Sequence, residues 1–350
     1  MASLISSSIS STAYQPNSPP DFLDSSSVEY SLAKGALLEE AIAEVFPLFT
    51  GAFSVVFMTK NKLGAIRDSK GIRPLSIGKL NSGYVVASET CAFDTIKADF
   101  VRDVLPGEMV MIDETGLKSY QLEPGDQKLD IFEFVYFARP DSVLLGQRVN
   151  EVRYRFGKEL AKECPLKADV IIPIPDSGIS AAEGYSIMSG IPTRQGFAKN
   201  RYIHRTFIQP EQRLREKGVE LKLNPLPEII SGKDVIIIDD SIVRGTTAGK
   251  LVKMVRKAGA RKVYFLVTSP PVRFPDFYGI DTPQQDSLIG ARHNVDEIKE
   301  LINADLLYYL SYGGMIKATC LPEEVFSTSC FTGIYPIDIG KRNKEIYRCS

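Results

Sequence analysis

Val235-Ile236-Ile237-Ile238 runs without a break into Asp239-Asp240-Ser241-Ile242-Val243-Arg244-Gly245-Thr246-Thr247. No other stretch narrows the fold as much. Four successive β-branched residues with no polar alternation read as a strand buried on both faces, which requires helices on both sides of a parallel sheet. The flanking grammar agrees. Apolar periodicity predicts helices over 152–163, 181–188 and 247–258, and strands over 170–174 and 262–268. Strands alternating with helices of about ten residues or more are βαβ units. In such sheets ligands bind beyond the carboxyl ends of the strands, so sites are expected just after Ile174 and just after Ile238.

The residues after Ile238 suit a phosphorylated polyhydroxyl ligand. Asp239 and Asp240 would repel each other unless a cation or a polyhydroxyl ligand bridges them. Gly245-Thr246-Thr247 opens a helix whose unpaired N–H groups, hydroxyls and dipole suit a phosphate. On local chemistry alone, a solvated acidic turn with a threonine cap accounts for the same residues.

The front of the chain reads differently. Leu37, Leu38, Ala41, Ile42 and Val45 recur at helical spacing until Pro47. Strands are expected over 52–58, 64–67, 84–88, 109–112 and 117–122, with turns at Asn81-Ser82-Gly83 and Glu114-Thr115-Gly116. Many strands with few helices indicate half of an antiparallel layered domain, which Glu123-Pro124-Gly125-Asp126-Gln127 closes off. Ahead of it, the Ser- and Pro-rich stretch 1–35 cannot bury enough apolar surface to fold alone and is expected to be a tail.

Charge and cysteines exclude several classes. Forty-two basic against 43 acidic residues leave a net charge of −1, so no basic surplus serves nucleic-acid phosphates. Apolar runs as short as Val235–Ile238 fall far below the ~20 residues of a membrane helix. Cys91, Cys164, Cys320, Cys330 and Cys349 are odd in number and widely spaced, which argues for a reducing compartment and a cytoplasmic location. Ser richness with no acid before Asp21 keeps a plastid transit peptide as the alternative, against which stands the lack of Lys or Arg before Lys34.

The chain resembles the type I phosphoribosyltransferases and, among them, the amidophosphoribosyltransferase family. Carrying the resemblance are Phe134-Val135-Tyr136-Phe137-Ala138-Arg139-Pro140-Asp141-Ser142, Ile174-Pro175-Asp176-Ser177-Gly178, Lys199-Asn200-Arg201-Tyr202, Arg205-Thr206-Phe207-Ile208-Gln209-Pro210, Lys222-Leu223-Asn224-Pro225, the Asp239–Thr247 motif and Tyr278-Gly279-Ile280-Asp281-Thr282-Pro283. It runs from about 36 to 340 and implies an α/β type I phosphoribosyltransferase domain over 129–340. Before that would stand a truncated amidohydrolase-like α+β domain of the N-terminal-nucleophile type over 36–128, and after it a tail over 341–350.

The resemblance also implies roles. Asp239 and Asp240 would hold the ribose hydroxyls and the Mg²⁺ of phosphoribosyl pyrophosphate, with Ser241 beside them. Arg244, Gly245, Thr246 and Thr247 would cradle the 5′-phosphate. Asp176, Ser177, Gly178, Ile179 and Ser180 match the pyrophosphate loop, where Ser177 helps to place the metal and Gly178 lets the backbone approach the anion. Lys199 to Asn224 match a catalytic lid that brings Lys199, Arg201, Tyr202 and Arg205 to the leaving pyrophosphate. The implied reaction is attack of ammonia at C1 of the ribose, giving 5-phosphoribosylamine for purine (IMP) biosynthesis. Purine nucleotides as inhibitors and a homo-oligomer are further implications.

Four departures qualify the match. His204 stands where Gly is usual and Glu220 where Arg is usual, both in the lid; His293 matches no catalytic position and reads as a surface or cap residue. No cysteine precedes Cys91, so the family's amino-terminal glutaminase nucleophile is missing. The chain is therefore expected to use free ammonia, with a separate glutaminase as a conceivable supplier; a non-catalytic nucleotide-binding regulator or an inactive fragment are the alternatives. Where relatives hold an iron–sulfur cluster with four cysteines, this chain has Asp130, Asp276, Ser327 and Cys330, so no cluster is expected.

Overall fold

The computed structural model describes residues 37–200, 223–278 and 284–346. The expected tail over 1–35, the lid residues 201–222 with His204 and Glu220, and 279–283 lie outside the described residues. The chain enters through helix α1 (Leu38–Val45), which passes into a 3-10 turn over Phe46–Leu48 that contains Pro47. Strands β1 (Ser54–Met58), β2 (Leu63–Arg67), β3 (Ser76–Leu80) and β4 (Gly83–Ala87) follow, then helix α2 (Cys91–Ile96) and strands β5 (Asp99–Asp103), β6 (Glu108–Asp113) and β7 (Gly116–Gln121).

These strands make two antiparallel sheets, one ordered β1-β2-β6-β7 and one ordered β4-β3-β5. Alternation along the strands explains the stacking. Ile66, Met109 and Met111 face one way and pack with Ile42 and Phe46 of the first helical segment. Ala65 and Val110 face the other way and pack with Leu75, Ile77 and Val104. Phe93 of α2 lies over Gly78 of β3, so helices flank the two stacked antiparallel sheets. The polar strand β5 and the irregular pairing of β3 at Ile77/Gly78 escape the sequence pattern.

Pro-Gly punctuation does not release the connection to the second half. The amides of Asp126, Lys128 and Asp130 donate to the carbonyls of Ser69, Lys70 and Ile72. The short strand β8 (Leu129–Asp130) then pairs with β15 (Phe326–Ser327), near the far end of the chain.

The second half is built on four parallel strands in the order β9 (Val170–Pro173), β12 (Asp234–Asp239), β13 (Lys262–Val267) and β14 (Leu306–Tyr309). Ile236 and Ile238 point to one side, against Val152, Phe156 and Leu160 of α3 (Val149–Glu163) and Ala181, Ala182 and Tyr185 of α4 (Ile179–Ser189). Val235 and Ile237 point to the other, against Leu251, Val252 and Val255 of α5 (Thr246–Lys257). Both faces are covered, as a continuous β-branched run requires. A two-stranded ribbon, β10 (Phe197–Lys199) with β11 (Leu223–Pro225), flanks residues 201–222. The expected tail after 340 begins instead with a 3-10 turn over Gly340–Glu345.

Candidate functional site

Parallel register brings the two predicted segments together. The Ile174 amide donates to the Ile238 carbonyl, so the chain leaves β9 and β12 side by side at the same edge of the sheet. The Ser177 hydroxyl donates to the Asp240 carboxylate across 63 residues of sequence, and Ser241 Oγ donates to its other oxygen at 2.5 Å. The Asp240 amide donates to Asp239 Oδ1 at 3.0 Å. Asp239 and Asp240 are 8% and 7% exposed, too buried for the solvated acidic turn that local chemistry allows.

Burial, and then the Asp240 charge, push the Asp239 carboxyl well above the usual carboxylate range. Asp240 is also raised by burial, against the pull of the Ser177 and Ser241 hydroxyls and the Arg153 charge. Two neighbouring acids held in this way are stabilised as carboxylates by a cation or by ligand hydroxyls. Among the described residues no group of three or more His, Cys, Asp or Glu side chains is arranged to hold a metal. An oxygen-only donor set of two carboxylates and two hydroxyls nevertheless suits Mg²⁺, which commonly takes one or two protein carboxylates and completes its shell with substrate phosphates and water.

Asp176 to Ser180 form a tight loop into α4. A cis peptide joins Pro175 to Asp176, and the Gly178 amide donates to Ile174 O at 2.9 Å. Gly178 has an ordinary helical φ of −76°. A β-carbon there would lie 2.5 Å from the Ile238 carbonyl oxygen, so the approach of β12 requires the glycine. Lys199, the last residue of β10, reaches Asp176 Oδ2 with Nζ at 2.5 Å, and both side chains are largely exposed. The predicted cation thus stands over the predicted loop.

At the other lip, Gly245 adopts φ 78° at the start of α5, with no side chain capping the helix. Arg244, Thr246 and Thr247 are exposed around this open N-terminus, a ready anion seat. Arg201, Tyr202 and Arg205 lie outside the described residues. Asn150 and Arg153 of α3, behind the loop, escape sequence reasoning. Arg153 is 4% exposed and donates to the carbonyls of Phe134 and Ala138 at 2.8 Å, contacts that no local spacing announces. His293 follows a four-residue helix as its C-cap and pairs with Glu297, in keeping with a cap role.

The cluster-matching residues converge elsewhere. Asp130, Asp276, Ser327 and Cys330 are all buried, with Ser327 opposite Asp130 in the β8–β15 pair. Arg73 lies 3.5 Å from Asp130. Burial and the two carboxylates push the Cys330 thiol far up. One neutral thiol among acids and a hydroxyl does not fit a cluster that needs four thiolates.

Comparison with known proteins agrees with this geometry. A phosphoribosyl transferase domain model matches residues 149–270. The amidophosphoribosyltransferase of Synechocystis sp. is 50% identical over 310 residues, and the chloroplastic amidophosphoribosyltransferase 1 of Arabidopsis thaliana is 46% identical over 289. These alignments take in 87% and 82% of this chain but 63% and 51% of the relatives, so the chain spans between half and two thirds of their length. The solved glutamine phosphoribosylpyrophosphate amidotransferase of B. subtilis, complexed with ADP and GMP, superposes with a TM-score of 0.83 at 41% identity, covering 94% of this chain and 73% of that one.

Proposed function

The chain belongs to the amidophosphoribosyltransferase family, and on that premise we propose that it makes 5-phosphoribosylamine from phosphoribosyl pyrophosphate for purine biosynthesis. The observation that carries this reading is the pair of buried acids Asp239 and Asp240, joined to the loop after β9 through Ser177 and followed by an uncapped helix start. Carboxylates at this point would accept hydrogen bonds from the ribose 2′- and 3′-hydroxyls and, with Ser177, would hold Mg²⁺. The chemistry such an ion would supply is neutralising charge for the departing diphosphate.

The chain's own groups do the rest. Backbone N–H groups at Gly245 to Thr247, with Arg244, take the 5′-phosphate. The loop Asp176 to Ser180 takes the pyrophosphate, where Lys199 exchanges its Asp176 partner for the anion. As the C1–O bond breaks, positive charge grows on the ribose and negative charge on the leaving group, which the cations stabilise more than they do the bound substrate. Ammonia forms the new C1–N bond, and the protonated amine then gives up a proton to water to become 5-phosphoribosylamine. Ammonia is the nitrogen donor in this reading. Purine nucleotides would compete for the same phosphate and ribose contacts, in keeping with the nucleotides held by the B. subtilis protein. A cytoplasmic or plastid setting suits this chemistry.

The purified chain is expected to release pyrophosphate from phosphoribosyl pyrophosphate with ammonium and Mg²⁺, but not with glutamine. Asp240→Asn should lower that rate by ~10²–10³-fold. Substrate binding without release at saturating ammonia would instead favour a regulator, and turnover with glutamine would overturn the choice of donor.

A further inference from the structure

We propose that Asn150 is a positioning residue for the loop Asp176–Ser180, and that Glu89 of the layered region holds Asn150 in place. The proposal rests on the reading of that loop as the pyrophosphate seat. Ser180 is the second residue of α4 and is 6% exposed. Its Oγ donates to Asn150 Oδ1 at 2.5 Å across 30 residues of sequence. No side chain caps α4, so this bond is a side-chain tie on its first turn that comes from outside the loop.

Asn150 is itself fixed. It is the second residue of α3, where helical N–H groups have no partner within the helix. Its amide donates to Pro140 O at 2.9 Å, and the Val149 amide donates to Ser142 O at 2.9 Å. The segment 139–142 therefore caps α3 and sets where Asn150 stands.

That segment is held in turn by the layered region. Glu89 Oε2 accepts from the Arg139 amide and from Ser142 Oγ, both at 2.7 Å. Thr90 Oγ1 accepts from the Val143 amide at 2.8 Å. A carboxylate that accepts two such bonds makes stronger ties than a neutral acceptor. Glu89, residues 139–142, Asn150 and Ser180 thus form one hydrogen-bonded line, from the connection between β4 and α2 to the loop over the sheet. Through it the layered region supports the site without contributing a residue to it.

Steady-state kinetics of the full chain and hydrogen exchange of the ligand-free protein test this together. Asn150→Ala should raise the KM for phosphoribosyl pyrophosphate by roughly five- to tenfold with kcat within about twofold, the pattern of lost ground-state positioning. Glu89→Gln, which keeps the shape and an acceptor, should raise KM by roughly two- to threefold. Amides of 179–183 should exchange faster in Asn150→Ala, while those of Asp234–Asp239 stay as in the unsubstituted chain. In a double-mutant cycle, Asn150→Ala should add nothing to Ser180→Ala, because one acts through the other. Additive effects, or unchanged KM and exchange in Asn150→Ala, would overturn the positioning role. Absence of any turnover or substrate binding in the unsubstituted chain would overturn the functional reading, and the exchange measurement would still decide the structural tie.

Discussion

Strands β12 and β1 mark the contrast between the two halves of the molecule. Five of the six residues of β12 are buried, because helices cover both faces of its sheet. No residue of β1 is fully buried; this strand at the edge of its sheet leaves Val56 45% and Met58 74% exposed. The half with two-sided burial carries all the described site residues. A strand held on both faces fixes where its carboxyl end stops, and therefore where Asp239 and Asp240 point. The layered half reaches the site only indirectly, through Glu89.

The largest expected effect sharpens that contrast. Phe265→Ala, at a fully buried position between sheet and helix, should lower stability by ~3–5 kcal/mol, whereas Met58→Ala should stay within about 0.5 kcal/mol. Denaturant titration of the two variants measures it; equal losses would mean that β1 is covered in solution. Next comes Gly178→Ala, which forces a β-carbon against the Ile238 carbonyl and should cost ~1–3 kcal/mol together with substrate binding.

The smallest effect has the opposite sign. The carboxyl of Asp239 is raised in the fold, so its contribution to stability is present at low pH and lost as pH rises through its folded value. Asp239→Asn should remove that loss and raise the Tm of the ligand-free chain above pH 7 by ~2–4 °C, while abolishing turnover. Thermal melts from pH 5 to 9 check this. A variant that melts lower than the parent at high pH would show that the charged carboxylate is compensated in the fold.

Legibility follows the range of the interactions. The run 235–238 and the helices around it are visible because burial on two faces leaves a local signature. Strands β3 and β5 are weaker in the sequence: β3 carries Gly78 and Lys79, and β5 alternates poorly, with Phe100 and Val101 half-exposed. Strand β14 is only four residues long, and Gly313-Gly314 obscures the helix after it. Within the site, residue types and loop positions are legible from the Asp239–Thr247 and Pro175–Gly178 segments. Pairings are not. Ser177 meets Asp240, Lys199 meets Asp176 and Ser180 meets Asn150 across 63, 23 and 30 residues.

By itself, the sequence determined the parallel-sheet class, the two loops where chemistry gathers and the residue types they carry, since local burial patterns and turn chemistry record those directly. Only the tertiary structure decided how the loops combine. It set the register that presses Gly178 against β12, the burial that raises both aspartates, and the line from Glu89 through Asn150 to Ser180. Those depend on which distant segments share an edge of the sheet, and a contact between segments leaves no periodicity in either one.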